Sequence, residues 1–457
     1  MQGYDVVVIG SGPGGYVAGL RSAQKGFKTA VIEQDKVGGV CLNLGCIPTK
    51  TLLESARQID SLRKADEFGI KVNQFEVENA KIWERKERVV DNLRKGIEYL
   101  FKLKGVDLIK GRARLVNEET IAIEECSEEV KAKNIILATG SLPLELPHLK
   151  FDHKTILSSD DILEKGSLFS SLIIVGGGAI GCEFGSLFNS LGVKVTIVEL
   201  LENILPHEDW EISHALELSF KKRGINIFTG RKIEEVNFGK EEVKVSLSDG
   251  KSIEAEKILV AVGRIPNSRN LGLEELGVYL RKGWIVTDDY LRTSVPNIFA
   301  VGDVIGEVLL AHVAMFQGER VVENIEGKNI KIDYKIAPNC IYTFPEIASV
   351  GIKESDLKKM NFDYSVGKFP FRALGKSHAS GETEGFLKLV VDKKENIILG
   401  AQAIGPDVTN IISELVLAIK NRIKIKDILE TIHPHPTFSE IVPETILASL
   451  NFSLHLV

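Results

Sequence analysis

Twice in this chain an apolar strand runs into three glycines in Gly-x-Gly-x-x-Gly spacing, then a helical stretch, then a strand ending on an acid. The first copy, DVVVIGSGPGGYVAGL, carries Gly10, Gly12 and Gly15, and its next strand, KTAVIE, ends at Glu33. The second, LIIVGGGAIGCEFGSLFNSLGVKVTIVE, carries Gly176, Gly178 and Gly181 and ends at Glu199. Glycines so placed let backbone N–H groups and a helix N-terminus approach a pyrophosphate, while the acid accepts a ribose hydroxyl. One copy could serve packing alone. Two copies in full strand–turn–helix–strand–acid context predict an α/β chain with two Rossmann-like dinucleotide-binding domains, and electrons passing between two cofactors. Glu199 also favours NAD over NADP: its carboxylate repels a 2′-phosphate, and the following LLENILPHED brings no arginine to offset that.

At 457 residues the chain has room for two to four domains. A net charge of −6 lacks the basic excess that nucleic-acid binding demands, so small molecules and other proteins are the expected partners. The start, MQGYDVVVIG, has no basic segment leading into a long apolar run, and no stretch is apolar enough to span a bilayer. These features predict a cytoplasmic, membrane-free protein. Apolar stripes through Leu52, Leu53, Ala56, Ile59 and Leu62, then Val89, Val90, Leu93, Ile97 and Leu100, predict a helical insertion over about 50–103. Further on, NIFAVG reads as a strand and the residues from Ala311 as a helix; FLKLVVD and IILGAQAIG read as an antiparallel hairpin, followed by a helix over Val408, Ile411, Ile412, Leu415 and Ile419.

GGVCLNLGCIPTK, residues 38–50, sets two of the five cysteines, Cys41 and Cys46, five positions apart. In a regular helix that spacing puts Cα atoms roughly 8–9 Å apart, beyond the ~7 Å limit of an unstrained disulfide, so bridging requires irregular backbone. Gly45 makes such a break cheap. So small a ring constrains the unfolded chain little, which suits a bond that opens and closes better than a staple. A thiolate near a helix N-terminus and near Lys50 would have a lowered pKa. Zinc ligation and inert burial are the competing readings; zinc would need two more ligands, and only His433 and His435 have suitable spacing. Those histidines sit in HPHPTFSE, where Pro434 and Pro436 keep the backbone out of a helix, and a histidine is a side chain that can titrate at the pH where thiols exchange. Thr437 to Glu440 is equally a capping-box pattern, so Glu440 could serve a helix end, orient His435, or do both.

With these residues in view, the chain resembles the flavin-dependent pyridine nucleotide–disulfide oxidoreductases from end to end. GSGPGG with Glu33, GGVCLNLGCIPTK, ATGSLP (138–143), GRIPN (263–267), FAVGDV (299–304), LLAHVA (309–314), IYTFPE (341–346) and HPHPTFSE (433–440) all fit. Val40 and Thr49 are tolerable variants, and Phe344 stands where a histidine was expected. The resemblance implies an FAD-binding domain over 1–143, an NAD-binding domain over 144–266, a central domain over 267–335 and an α+β dimerisation domain over 336–457. It implies a redox-active Cys41–Cys46 disulfide, His435 as acid–base oriented by Glu440, and Lys50 and Glu183 paired near a flavin ring. To FAD it assigns Gly10, Gly12, Gly14, Gly15, Glu33, Gly39, Val40, Cys41, Lys50, Ala113, Thr139, Gly140, Ser141, Asp303 and Ala311. To NAD it assigns Gly176, Gly178, Ala179, Ile180, Gly181, Glu183, Glu199, Gly263 and Arg264; it implies no metal.

HPHPTFSE points to the branch that reoxidises dihydrolipoyl groups in 2-oxo acid dehydrogenase complexes. Its partners would be lipoyl domains and the acyltransferase core, and it would be a homodimer whose histidine acts in the partner's site. Glutathione reductases differ in carrying NADPH-selecting arginines where this chain has Glu199, mercuric reductases in an added C-terminal cysteine pair, and a soluble transhydrogenase in not needing both thiols. A non-catalytic docking subunit is the alternative from a different class.

Overall fold

A computed structural model describes residues 2–124, 128–166, 168–240 and 242–456; Cys126 lies outside them. The chain divides into two compact units, the first built from residues 1–146, 157–168 and 263–332, the second from 147–156, 169–262 and 333–457.

In the first unit, Gln2–Ile9 pairs in parallel with Thr29–Glu33 on one side and Glu128–Leu137 on the other. Val6, Val7 and Val8 have no exposed surface, nor do Ile135, Ile136 and Leu137 on the neighbouring strand. Strands covered on both faces read as unbroken apolar runs, which is how DVVVI was legible as a strand. Ile298–Ala300, from the NIFAVG run, joins the same sheet beside Glu128–Leu137. The helix Pro13–Gln24 packs closely on Ala311–Ile325: a Cβ at Gly318 would lie 2.4 Å from the Gly14 carbonyl oxygen. The expected insertion consists of helices Cys46–Arg63 and Asn79–Lys104.

In the second unit, the order Asn226–Phe228, Lys194–Val198, Ser171–Val175, Lys257–Val260 is again parallel. The C-terminal part is an antiparallel sheet of Asn339–Ile341, Glu346–Gly351, Ile397–Gly405, Phe386–Asp392 and Tyr364–Pro370, in that order. Its centre is the expected hairpin, with Leu387 opposite Ala403. The helix Val408–Lys420 buries Val408, Ile411, Ile412 and Leu415 in the core beside it. Lys388 of this hairpin is buried, and its ammonium meets Asp209 at 2.9 Å, Glu354 at 2.6 Å and Glu211. The three carboxylates thus form an ion network around a lysine.

Candidate active site

The two glycine turns share one construction. In the first, Gly10 adopts φ +97° and a Cβ there would fall 2.5 Å from the Ala138 carbonyl oxygen; at Gly15 it would fall 1.9 Å from the Gly10 carbonyl oxygen. In the second, Gly176 adopts φ +105° against Ala261, and Gly181 presses on the Gly176 carbonyl oxygen at 2.0 Å. The middle glycines differ in kind. A Cβ at Gly178 would meet nothing within 4 Å, and one at Gly12 only the Gly39 Cα at 4.0 Å. Outer glycines therefore close the turn and seat the helix, while the middle one leaves the backbone open to a ligand.

The acids are held alike. Glu33 Oε2 accepts from the Ser11 amide (2.8 Å) and hydroxyl (2.6 Å), and Oε1 from the Asp35 amide (2.9 Å). Glu199 Oε2 accepts from the Gly177 amide (2.6 Å) and Oε1 from the Leu201 amide (2.8 Å). Both carboxylates are buried, are fixed by backbone donors and keep lone pairs for a ribose. The residues fit two dinucleotides. Ala179 and Ile180 open the helix Ala179–Ser190. Buried Glu183, on its next turn, accepts from the Tyr342 amide at 3.0 Å.

Other assigned flavin residues converge within the first unit. Ser141–Pro143 pairs with Arg264–Pro266. The Ser141 hydroxyl donates to Asp303 (2.6 Å), and Arg264 donates to the Ser141 hydroxyl (2.6 Å) and carbonyl (2.7 Å). Asn267 donates to the Thr139 carbonyl at 3.2 Å, and its amide to that of Gly140 at 3.0 Å. The Thr139 hydroxyl is buried with no partner among the described residues, a polar atom aimed at a group of another kind. Ala113 is buried at the start of Ala113–Asn117, and Ala311 is the first residue of its helix. Gly263 and Arg264, read from sequence as NAD residues, are part of this unit.

The thiols lie across a helix break. Cys41 is on Gly39–Leu44 and Cys46 opens Cys46–Arg63; Gly45 between them leaves helical geometry at φ −148°, ψ −113°. A Cβ on Gly45 would crowd the Val40 carbonyl oxygen (3.0 Å) and the Cys41 Cα (3.1 Å), so the break needs a glycine. Cys41 is hydrogen-bonded to Cys46. That hydrogen bond first, then burial and the charge on Cys46, push the Cys41 thiol far up, against a smaller downward pull from Lys50. Cys46 is the first residue of an 18-residue helix, whose N-terminus favours negative charge at that position. Asn43, between the cysteines, donates to the Val37 (3.0 Å) and Gly39 (2.9 Å) carbonyls and ties down the turn that launches Cys41.

In the second unit, His435 Nδ1 lies 2.8 Å from Glu440 Oε1, while Oε2 accepts from the Thr437 amide at 2.9 Å. Glu440 thus orients the histidine with one oxygen and closes the short helical turn Phe438–Glu440 with the other. Burial works against its charge, but the hydrogen bonds from His435 and the Thr437 amide outweigh it and hold the carboxyl below its ordinary range. The His435 side chain is 74 % exposed. His433 instead is nearly buried, 3.0 Å from Glu414.

Sequence reasoning missed Ser11, Asn43 and Gln317, whose side-chain oxygen accepts from the Gly302 amide at 2.6 Å. A buried polar side chain inside a glycine-rich turn was the available signal for Ser11.

Residues 4–318 match the family described as pyridine nucleotide-disulphide oxidoreductase, and 337–446 match its dimerisation domain. A dihydrolipoyl dehydrogenase of Bacillus subtilis is 42 % identical, over 99 % of both chains; one of Chlamydia muridarum is 40 % identical, over 100 % of this chain and 98 % of its own. Among solved structures, LpdA of Mycobacterium tuberculosis superposes with a TM-score of 0.91 at 28 % identity, covering 98 % of this chain and 99 % of that one. The Cu(II) complex of RclA, an HOCl-induced flavoprotein disulfide reductase of Escherichia coli, gives 0.88 at 28 %, with the same coverage. FAD and NAD are the cofactors of this family. Two ligand-open glycine turns with anchored acids, a thiol pair across a helix break and matches over nearly the whole length agree: the chain belongs to the pyridine nucleotide-disulphide oxidoreductase family.

Proposed function

We propose that this chain oxidises protein-bound dihydrolipoyl groups to lipoyl groups with NAD⁺, as the flavoprotein component of 2-oxo acid dehydrogenase complexes. The observation that carries the reading is that the chain holds both an exposed His435 oriented by Glu440 and a Cys41 hydrogen-bonded to Cys46 across the break at Gly45. The names of relatives about 40 % identical over full length support it.

In the oxidised enzyme Cys41 and Cys46 form a disulfide. His435 takes a proton from a dihydrolipoyl thiol, and the thiolate attacks Cys41, breaking the disulfide and releasing Cys46 as a thiolate. The second substrate thiol attacks its neighbour in the mixed disulfide. Oxidised lipoyl leaves, and Cys41 receives a proton. The thiol pair now holds two electrons. Bound FAD supplies the two-electron relay from this pair to NAD⁺. The FAD contacts would come from the first glycine turn, Glu33, Gly39–Cys41, Lys50 and the Thr139–Ser141, Asp303 and Ala311 group, and the NAD contacts from the second turn, Glu183 and Glu199. Lys50 and Glu183 would pair beside the flavin ring. Arg264, held on Ser141 and Asp303, would brace the flavin site as much as meet NAD.

The same reading gives the four-part division at about 143, 266 and 335, a cytoplasmic location, and lipoyl domains with the acyltransferase core as partners. It makes the dimerisation domain pair two copies so that His435 serves the partner's thiols. Among the described residues, no helix is long and apolar enough to cross a membrane. The test is NADH formation from dihydrolipoamide and NAD⁺, with NADP⁺ and glutathione disulfide assayed beside it. Rapid NADH formation with dihydrolipoamide and NAD⁺ alone is expected; reduction of glutathione disulfide in its place would move the substrate to a sister enzyme.

A further inference from the structure

Comparing the two glycine turns isolates one atom. Position 11 in the first turn corresponds to Gly177 in the second, and both backbone amides bind the acid that ends the next strand. A side chain at Gly177 would crowd Ile204 (2.9 Å) and Glu199 (3.2 Å). The first turn instead carries a fully buried serine. Its hydroxyl has one proton, and at 2.6 Å the Glu33 carboxylate receives it. A hydroxyl lone pair is then left to accept, and the Gly38 amide donates to it at 3.1 Å while also meeting the Ser11 carbonyl at 3.1 Å.

Gly38 is the N-cap of the Gly39–Leu44 helix, which carries Cys41. Gly39, at φ +61°, rests so closely on the first turn that a Cβ there would lie 2.6 Å from the Gly12 Cα. The ribose acid, the pyrophosphate turn and the launch of the thiol helix therefore meet at Ser11, through its hydroxyl as well as its backbone.

We propose that Ser11 is a positioning residue that couples the first dinucleotide cradle to the disposition of Cys41. This rests on the reading of that cradle as the FAD site and of Cys41–Cys46 as the redox pair. Removing the hydroxyl takes away one of the two acceptors of the Gly38 amide and one of the three donors to Glu33, so two properties measured at different places shift at once. A serine needed only for local packing would move flavin affinity and leave the thiols alone.

The test uses Ser11→Ala, Ser11→Thr and Glu33→Gln in the full-length protein, with two readouts. These are FAD affinity by titration of flavin-stripped protein, and the rate at which iodoacetamide captures Cys41 in reduced, flavin-free protein, followed by peptide mass spectrometry. Ser11→Ala is expected to weaken FAD by about 10- to 100-fold, the loss of one charge-assisted hydrogen bond. The same variant should speed capture of Cys41 by about 2- to 10-fold as the turn loosens. Ser11→Thr, which keeps the hydroxyl, should recover both, and Glu33→Gln, which weakens the acceptor, should speed capture in the same direction. Unchanged capture in Ser11→Ala, or in Glu33→Gln should the alanine variant not fold, with FAD still bound by the parent protein, would overturn the coupling alone. A parent protein that takes up no FAD would overturn the reading beneath it.

Discussion

At the residue scale, the chemistry of Glu440 follows from having two oxygens with two tasks. The sequence pattern raised both tasks as rivals, a helix cap and a histidine partner, and the structure gives one oxygen to each. Spacing alone could not decide between them, because one carboxylate stands both three residues after Thr437, where a capping box needs it, and five after His435, within reach of the ring. Since the Glu440 carboxyl is held below its ordinary range, its grip on His435 is complete above that range and is lost only as pH falls through the lowered value. Changes in turnover between about pH 5 and 8 then do not come from Glu440. His435→Gln is expected to keep its flavin and its two-electron reduction by NADH while lipoamide turnover falls by roughly 10²–10⁴-fold, the usual worth of general acid–base catalysis. Full turnover in that variant would remove His435 from the mechanism. Glu440→Gln should cost about 10- to 100-fold in kcat, one charge-assisted hydrogen bond, read from kcat profiles across that pH range.

At the element scale, the strands and helices that bear the chemistry were legible because their patterns are strong: unbroken apolar runs for parallel strands, glycine triplets for the turns, a period-3.6 stripe for the Val408–Lys420 helix. The break at Gly45 was legible as a requirement, since two cysteines five apart cannot meet on one regular helix. Side-chain ties between distant segments were not. Nothing in the spacing of Ser11, Glu33 and Gly38, or of Lys388, Asp209, Glu211 and Glu354, announces that they meet. The Lys388 network makes its own prediction. Burial works against the lysine's charge, but hydrogen bonds to Glu211, Glu354 and Asp209 outweigh it and push its pKa above the ordinary range. Burial likewise raises Glu354, while Lys358 and Lys388 bring it down to about 2. The Glu354 contribution is therefore full above the ordinary carboxylate value of 4.5 and is lost as pH falls toward 2; that of Lys388 is full below the ordinary lysine value of 10.5 and is lost only above it. Lys388→Met leaves three carboxylates facing one another and should cost about 3–5 kcal/mol, seen as a lower urea midpoint at neutral pH. The gap between variant and parent should narrow as pH drops below the carboxylate range; a gap that widens would contradict the network's sign.

At the scale of the whole molecule, two dinucleotide modules and a thiol pair make sense only as a path for two electrons, and the exposed His435 asks which thiols it serves. The proposed function has it serve the partner subunit. Mixing a Cys41→Ser protein with a His435→Gln protein, each inactive alone, should then restore activity as heterodimers form. With random pairing, one working site in half of the dimers gives about a quarter of parental turnover. Recovery absent after verified subunit exchange would place the histidine with its own subunit's thiols.

The central claim, that Cys41 and Cys46 take electrons from the substrate, is tested most directly by trapping. Oxidised, flavin-loaded protein is mixed anaerobically with dihydrolipoamide, quenched with iodoacetamide and mapped by mass spectrometry, with and without excess NAD⁺. Labelling of Cys41 and Cys46 that appears with dihydrolipoamide and disappears when NAD⁺ is present is the predicted result. Labelling that ignores the substrate, or that falls on Cys182 and Cys340 instead, would contradict it.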